Sequence, residues 1–340
     1  MRFELTDVQS SWKSKGETLG RDLGLDAAAG DAVMGAARVG LLERRADLMS
    51  IAAAVEAMAH GSPAAAMAIA MHSVAVHAAG FSERFGDLLF RGEQVGALAL
   101  SSEDVPLLRG DRLTGKASWV SPIVDGGLAI VGARSGDDLL AVAVPLASEG
   151  VSIEPIEAAG LGPLVCANVA FADTGAFGIG PTVPVMARLR VLIAAAGLGM
   201  GRRALDEALI AARAAGAGAD GEQTVQGLLA DAATELDAAL LLTWNAASAA
   251  TLTLAAASMA KLAATGAAQR AIERTTQVIG VETFRHGHVV ERLAQDVRAL
   301  ELFAGRTEAL RAAVAEDVLP KETGRLDSVG RPFTRHSARE

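Results

Sequence analysis

Residues Gln277–Arg311 read QVIGVETFRHGHVVERLAQDVRALELFAGRTEALR. Gly280 to Gly287 interrupts a helical pattern, and helix-forming residues resume on the far side. The fixed points, in order, are Gln277-x-x-Gly280, the aromatic Phe284, Val290-Glu291-Arg292, Asp296-x-Arg298, the step Ala304-Gly305-Arg306, and Thr307-Glu308. This stretch ends a longer helical region. From Pro184 to about Leu319, residues Val225, Leu228, Leu229, Ala232, Leu236, Leu240 and Leu241 trace one apolar face at helical spacing, with Asp231, Glu235 and Asp237 interspersed. Breaks at Gly216–Gly221, near Gly266-Ala267 and at Gly280–Gly287 predict four or five helices.

Two further blocks precede it. Between Ser10 and Phe90 the chain is rich in Ala, Leu and Met, and Leu48, Ile51, Ala52, Val55 and Met58 recur at three- and four-residue steps. Ser62 is expected to cap, and Pro63 to open, the helix after Gly61. From Val95 to about Gly180, short runs such as Gly127–Ala133, Leu139–Val144 and Asn168–Phe171 alternate with Gly, Asp, Pro and Ser, without room for crossover helices. That spacing predicts a small antiparallel β domain. The expected fold is therefore α+β and multidomain: an N-terminal helical domain (1–95), a middle antiparallel β domain (96–183), a C-terminal four-helix-bundle domain (184–320) and a polar tail (321–340). The tail is read as a mobile or oligomer-wrapping arm.

A chain of 340 residues is long enough for a large shared core, and 51% hydrophobic with 21% charged residues is a globular composition. The net charge of −9 argues against nucleic acid as a partner, which needs a basic face. A single cysteine, Cys166, excludes an internal disulfide and a multi-thiolate metal site, and fits a reducing compartment. The N-terminus carries charges where a signal peptide needs an apolar run, and tracts such as Ala64–Ala79 read as buried helices rather than membrane spans. A cytoplasmic location without membrane association is expected.

The order along Gln277–Glu308 resembles the C-terminal signature of acyl-CoA dehydrogenases, flavoproteins that oxidise the α,β bond of acyl-CoA thioesters. The α–β–α order is also that family's. In the middle block, Leu113-Thr114-Gly115 followed by Trp119-Val120-Ser121 resembles the run whose Trp packs on the flavin ring and whose hydroxyl bonds near it. The resemblance implies that Trp119 covers FAD and Ser121 donates to it. The bland alternative is a core Trp in a β-turn. Ser101 and Ser102 stand where the family has an acidic, glycine-rich loop against the flavin. In the bundle, Arg190, Ala204–Ala208, Gln223 with Leu229-Ala230-Asp231, and Ser258-Met259-Ala260-Lys261 resemble family elements. The resemblance implies cofactor contacts for Arg213, Gln223, Gln277, Gly280, Thr307 and Glu308, partly toward a neighbouring subunit, and substrate contacts for Arg190 and Gly305.

The chain departs from the family at the step that carries chemistry. A Glu-Gly-Thr sequence there supplies the base that removes the α-proton; here the step is Ala304-Gly305-Arg306. The other family position for that base, directly before Arg190, is Leu189. Glu301 and Glu308 lie about one helical turn either side of Ala304 and are the remaining candidate acids. The glycine turn expected after Gln277 is reduced to Gly280 followed by Val281 and Glu282, which would crowd or repel a pyrophosphate. Two function classes follow. One is an FAD-dependent oxidoreductase acting on the CH–CH group of an acyl-CoA, with an electron-transfer flavoprotein as acceptor. The other is a non-catalytic subunit completing a related partner's FAD site, in a homo-oligomer or heteromer. Gly199-x-Gly201-x-x-Ala204 could be read as a dinucleotide loop, but the apolar period runs through it as one helix. His72, His77, His286 and His288 lack metal spacing.

Overall fold

The computed structural model describes residues 4–44, 46–80, 82–100, 104–216 and 223–319. The N-terminal block comprises α1 (Asp7–Leu23), α2 (Ala29–Arg38), α3 (Leu48–Gly61), α4 (Pro63–Ala79) and the short α5 (Gly86–Phe90). Thr6 and Gln9 form a reciprocal capping box on α1, each side chain meeting the other's backbone N–H. Asp47 caps α3 by accepting from Ser50 N at 2.9 Å. Pro63 opens α4 as expected, but Ser62 does not cap it: its hydroxyl is buried without a partner. Proline's fixed φ starts this helix without help from a side chain.

Eight strands follow: β1 (Gly96–Ala99), β2 (Leu107–Arg109), β3 (Arg112–Val120), β4 (Leu128–Ser135), β5 (Asp138–Pro145), β6 (Val151–Ile156), β7 (Cys166–Gly175) and β8 (Phe177–Pro181). They form one sheet in the order β6-β7-β3-β2-β4-β5-β8, with β1 also on β4. The expectation of an antiparallel domain needs correcting, because β1 and β2 both pair with β4 in parallel. The reason is topological. The β2–β3 hairpin lies between β1 and β4 in sequence, so the chain makes a full excursion and returns running the same way. Alternation of Leu113, Ala117, Val120, Ala129, Val131, Val142, Val144, Val169 and Phe171 gives this sheet its own apolar core.

The C-terminal block contains α6 (Thr182–Ala214), α7 (Gln223–Ala247), α8 (Leu254–Ile279), a 3-10 turn (Gly280–Phe284), α9 (Val289–Leu302) and α10 (Thr307–Val318). The expected break near Gly266 does not occur; Gly266 lies inside α8. One interior glycine costs about 1 kcal/mol relative to alanine, and the buried faces on either side outweigh it. The break comes instead at Ser248–Leu252, after which Thr253 caps α8 by accepting from Ala256 N.

Helix α6 joins the blocks, packing on α3 and α4 as well as on α7, α8 and α9. The glycines of Gly197–Gly201 sit in its middle. A Cβ on Gly199 would lie 2.0 Å from the Glu56 carbonyl oxygen, and one on Gly201 would lie 3.0 Å from Ala268 Cα. They allow two helices to approach closely and do not form a phosphate loop. By length and composition α6 would cross a membrane, but 83% of its apolar window is buried inside the molecule.

Candidate functional site

The centre of the site is the connection between α9 and α10. A helix leaves its last four carbonyls without intrahelical partners, and here two cations from other helices gather one of them, Glu301, together with the three carbonyls at and beyond the helix end. Lys261, fully buried on α8, donates from Nζ to the carbonyls of Glu301 (3.2 Å), Phe303 and Gly305 (2.7 Å). Arg190, buried on α6, donates from Nε to the Ala304 carbonyl (3.0 Å) and from Nη1 to Ser258 Oγ (2.7 Å). Ser258 Oγ in turn donates a hydrogen bond to the Leu254 carbonyl. Four carbonyls between residues 301 and 305 are therefore held from two directions. Positive charge at a helix C-terminus also complements the macrodipole.

The backbone held this way is unusual. Ala304 has φ 56° and Gly305 φ 111°; a non-glycine residue in the left-handed region costs on the order of 1–2 kcal/mol. Arg190 Nη2 would lie 3.0 Å from a Cβ on Gly305, so glycine is required there by both conformation and space. Burial, and then the nearby Arg190 charge, pull the Lys261 ammonium down to about 7, while Glu301 opposes the shift. Of the candidate acids, Glu301 accepts from Thr307 Oγ1 at 2.9 Å, closing the loop on itself, and Glu308 is exposed in the first turn of α10. The Ala304 side chain is buried and brings no acid to the loop.

A second group sits at the end of β3. The register of β3 against β7 shifts between Ala117 and Val120, and Trp119, inside that irregularity, has φ 58°. The bulge takes the indole off the pleat and leaves it 52% exposed, which excludes the core-Trp reading. Ser121 is buried; its backbone pairs with Leu98, and its hydroxyl donates to the Val165 carbonyl at 3.4 Å. The segment leading to Val165 also touches α9, through Leu161 N donating to the Asp296 carboxylate and through Gly160 packed on Gln295. It links the Trp119 corner to the helix that carries the α9–α10 loop.

The remaining residues lie elsewhere. Arg213 ends α6, Gln223 opens α7, and Gln277 and Gly280 end α8; the three helix ends share one end of the bundle. Arg213, Gln223 and Gln277 are exposed. From Lys261 to Gln277 is sixteen residues of one helix, roughly 24 Å. This group is thus remote from the latched loop within the same chain. Gly280 has φ 81° and nothing within 4 Å of a Cβ, so its backbone is open to an approaching ligand. Glu282 is paired with Arg285 at 3.1 Å, which counters the charge expected to repel a phosphate. Ser101 and Ser102 lie outside the described residues.

Sequence reading placed Lys261 in a family-like element without a role. Its signal was a single lysine in the Ala-rich run Ala255–Ala264, where a buried cation needs partners. Of the histidines, His72 is a core residue that accepts from Gly96 N (3.0 Å) on Nδ1, so its Nε2 donates to the Leu89 carbonyl (3.1 Å). Cys166 is buried, and burial raises its thiol pKa. Among the described residues no cluster of three or more His, Cys, Asp or Glu could hold a metal.

Residues 178–319 match the family model described as the acyl-CoA dehydrogenase C-terminal domain. The short-chain specific acyl-CoA dehydrogenase of Bos taurus mitochondria is 30% identical over 230 residues, 61% of this chain and 56% of that protein. The chain thus matches little more than half the length of that curated relative. Among solved structures, butyryl-CoA dehydrogenase from Megasphaera elsdenii superposes with a TM-score of 0.80 at 18% identity, over 93% of this chain and 99% of its own. A structure described as PigA with FAD and proline does so with a TM-score of 0.79 at 17% identity, over 93% of this chain and 99% of its own. At those identities the structures speak for the fold alone. With the C-terminal signature, the latched α9–α10 loop and the α–β–α architecture, the chain has the fold of the acyl-CoA dehydrogenases and is similar to them in its C-terminal domain, with alanine where their base is expected.

Proposed function

We propose that this chain is an FAD-binding, acyl-CoA dehydrogenase-like protein that acts as the non-catalytic subunit of a heteromer, completing the FAD site of a related partner. The observation that carries this reading is the latched loop itself. Arg190 and Lys261 fix the backbone at residue 304 in a strained conformation, yet the side chain so positioned is a methyl group. Losing a positioned base costs roughly 10²–10⁴ in rate.

The chain's residues suit FAD in two separate halves. Trp119 offers a flat apolar face beside the Ser121 backbone, as a ring system requires. Gly280 offers open backbone at the far end of α8, near exposed Gln277, Arg213 and Gln223. Separation of the halves fits a cofactor shared between subunits, each chain lending one half to its neighbour. PigA, which shares this fold, holds FAD in its solved structure, and that supports the same cofactor here. Bound FAD would supply two-electron redox chemistry. In the partnered assembly, Gly305 and the α9–α10 backbone would orient an acyl thioester, and an electron-transfer flavoprotein would be the acceptor.

The second reading is a self-sufficient oxidoreductase on the CH–CH group of an acyl-CoA, with Glu301 as its base. Glu301, in the last turn of α9, is the acid whose own carbonyl joins the latch, and its Oε1 already accepts from Thr307 Oγ1 at 2.9 Å. The visible spectrum and FAD-to-chain ratio of protein expressed alone decide between the two. Substoichiometric FAD with no bleaching by acyl-CoAs is expected. Near one FAD per chain, with bleaching that Glu301→Gln abolishes, would establish the second reading.

A further inference from the structure

A cavity of about 470 Å³ opens between the start of α3, the N-terminal part of α6 and the α7–α8 connection. That is the size of a small-molecule site. Its walls mix apolar and polar groups: Leu48 and Met49 from α3, with Ala247, Ala249 and Leu252 opposite, together with Gln9, Asp47 and Ser248. Arg188 supplies the charge. It lies two residues before Arg190, so it points roughly 200° round α6, away from the latched loop. Its side chain is partly buried, and Nε is fully buried without a hydrogen-bond partner.

A sheltered guanidinium ordinarily recruits a carboxylate or several carbonyls. None does so here. Asp47, the acid whose field reaches Arg188, has its oxygens taken by Ser50 N at 2.9 Å and Ser50 Oγ at 2.7 Å. Among the described residues no ion pair joins it to Arg188. Burial, and then repulsion from the Arg188 charge, keep the His77 imidazole on α4 toward its neutral form. The cavity therefore has one uncommitted cation, one nearby committed anion and an apolar strip of Leu48, Met49 and Leu252 within a mixed lining.

We propose that this cavity binds a small organic monocarboxylate, its headgroup on the Arg188 guanidinium and its apolar body against Leu48, Met49 and Leu252. Asp47 weakens the pull of Arg188 on any anion, so charge alone does not hold a ligand here. Apolar contact with Leu48, Met49 and Leu252, which phosphate lacks, makes the difference. The planar guanidinium fork also matches a carboxylate in two-point geometry. The assignment needs neither FAD nor the α9–α10 loop.

The test is a thermal-shift and calorimetric titration of the whole chain with octanoate, with inorganic phosphate and CoA as comparisons at equal ionic strength. Octanoate is expected to raise the melting temperature saturably, and phosphate to leave it unmoved. Arg188→Met should weaken octanoate binding at least tenfold, without lowering the melting temperature of the ligand-free protein. Ala249→Phe keeps the cation but fills the cavity, so it should lose binding too and stands in if Arg188→Met fails to fold. No saturable response to octanoate, an equal response in Arg188→Met, or a preference for phosphate or CoA through Arg188 would overturn the assignment. Flavin absorbance of the same samples reports separately on the FAD reading.

Discussion

Lys261 Nζ lies 2.7 Å from the carbonyl oxygen of Gly305, 44 residues further along the chain. Through this bond and two others from the same ammonium, the C-terminus of α9 is capped by a side chain of α8 instead of by its own sequence. Lys261→Met should leave three carbonyls without their donor, against some relief of repulsion from Arg190. Unmade hydrogen bonds cost about 1–3 kcal/mol each when the group stays buried, roughly 3–9 kcal/mol for three; with the cost of burying an ammonium removed as well, we expect net destabilisation of about 1–3 kcal/mol. Amide hydrogen exchange at Gly305 and Arg306 should accelerate far more than in α6. Uniform acceleration across the chain would show that the lysine supports the whole bundle rather than the loop.

The left-handed backbone at Ala304 gives a prediction of opposite sign. Ala304→Gly removes a steric cost of about 1–2 kcal/mol and adds unfolded-state entropy of about 0.4–1 kcal/mol. Denaturant unfolding should show a stabilisation of about 0.5 kcal/mol or a neutral result. Ala304→Val, β-branched at positive φ, should lose on the order of 2 kcal/mol.

Stability should depend on pH in two windows. Lys261 has its proton affinity lowered in the folded protein to about 7 from 10.5. Between those values the unfolded chain keeps a proton that the folded one releases, so this group makes global stability rise with pH. The neutral amine has fewer hydrogens to donate, so loop protection should fall as pH rises through about 7. His72, held to about 4 from 6.5 by burial, is neutral when folded. Its contribution is present above 6.5 and is lost as pH falls through the window down to 4. Chemical denaturation from pH 4 to 10 with Lys261→Met and His72→Gln assigns each slope, which should vanish in the matching variant.

Two glycines separate packing from propensity. Gly199→Ala would drive a methyl into the Glu56 carbonyl and should cost about 1–3 kcal/mol by forcing α6 off α3. Gly227→Ala, exposed on α7 with open space around it, should stabilise by about 0.5–1 kcal/mol through helix propensity alone. Melting temperatures of the two variants should move in opposite directions.

Much of this was legible in one dimension. The period of Leu48 to Met58 marks α3, the Gly-Pro punctuation marks its end, and Gln277 to Glu308 carries the family's order with the base replaced. Elsewhere local signals misled. Gly266 looked like a break because propensity is local, whereas α8 is held by its packed faces. The parallel pairing of β1 with β4 was invisible because alternation reports which face is buried and not which strand lies alongside.

The sequence by itself determined the order of helix and strand, the apolar faces, and the absence of an acid at 304, since these are properties of residue type and spacing. Tertiary structure decided what the charged residues do. Arg188 and Arg190 differ by two positions on one helix, yet one is spent on the Ala304 carbonyl and the other is left over a cavity. Lys261 became the cap of a distant helix. A cation's role depends on which oxygens come within about 3 Å of it, and that distance exists only once α6, α8 and α9 have packed.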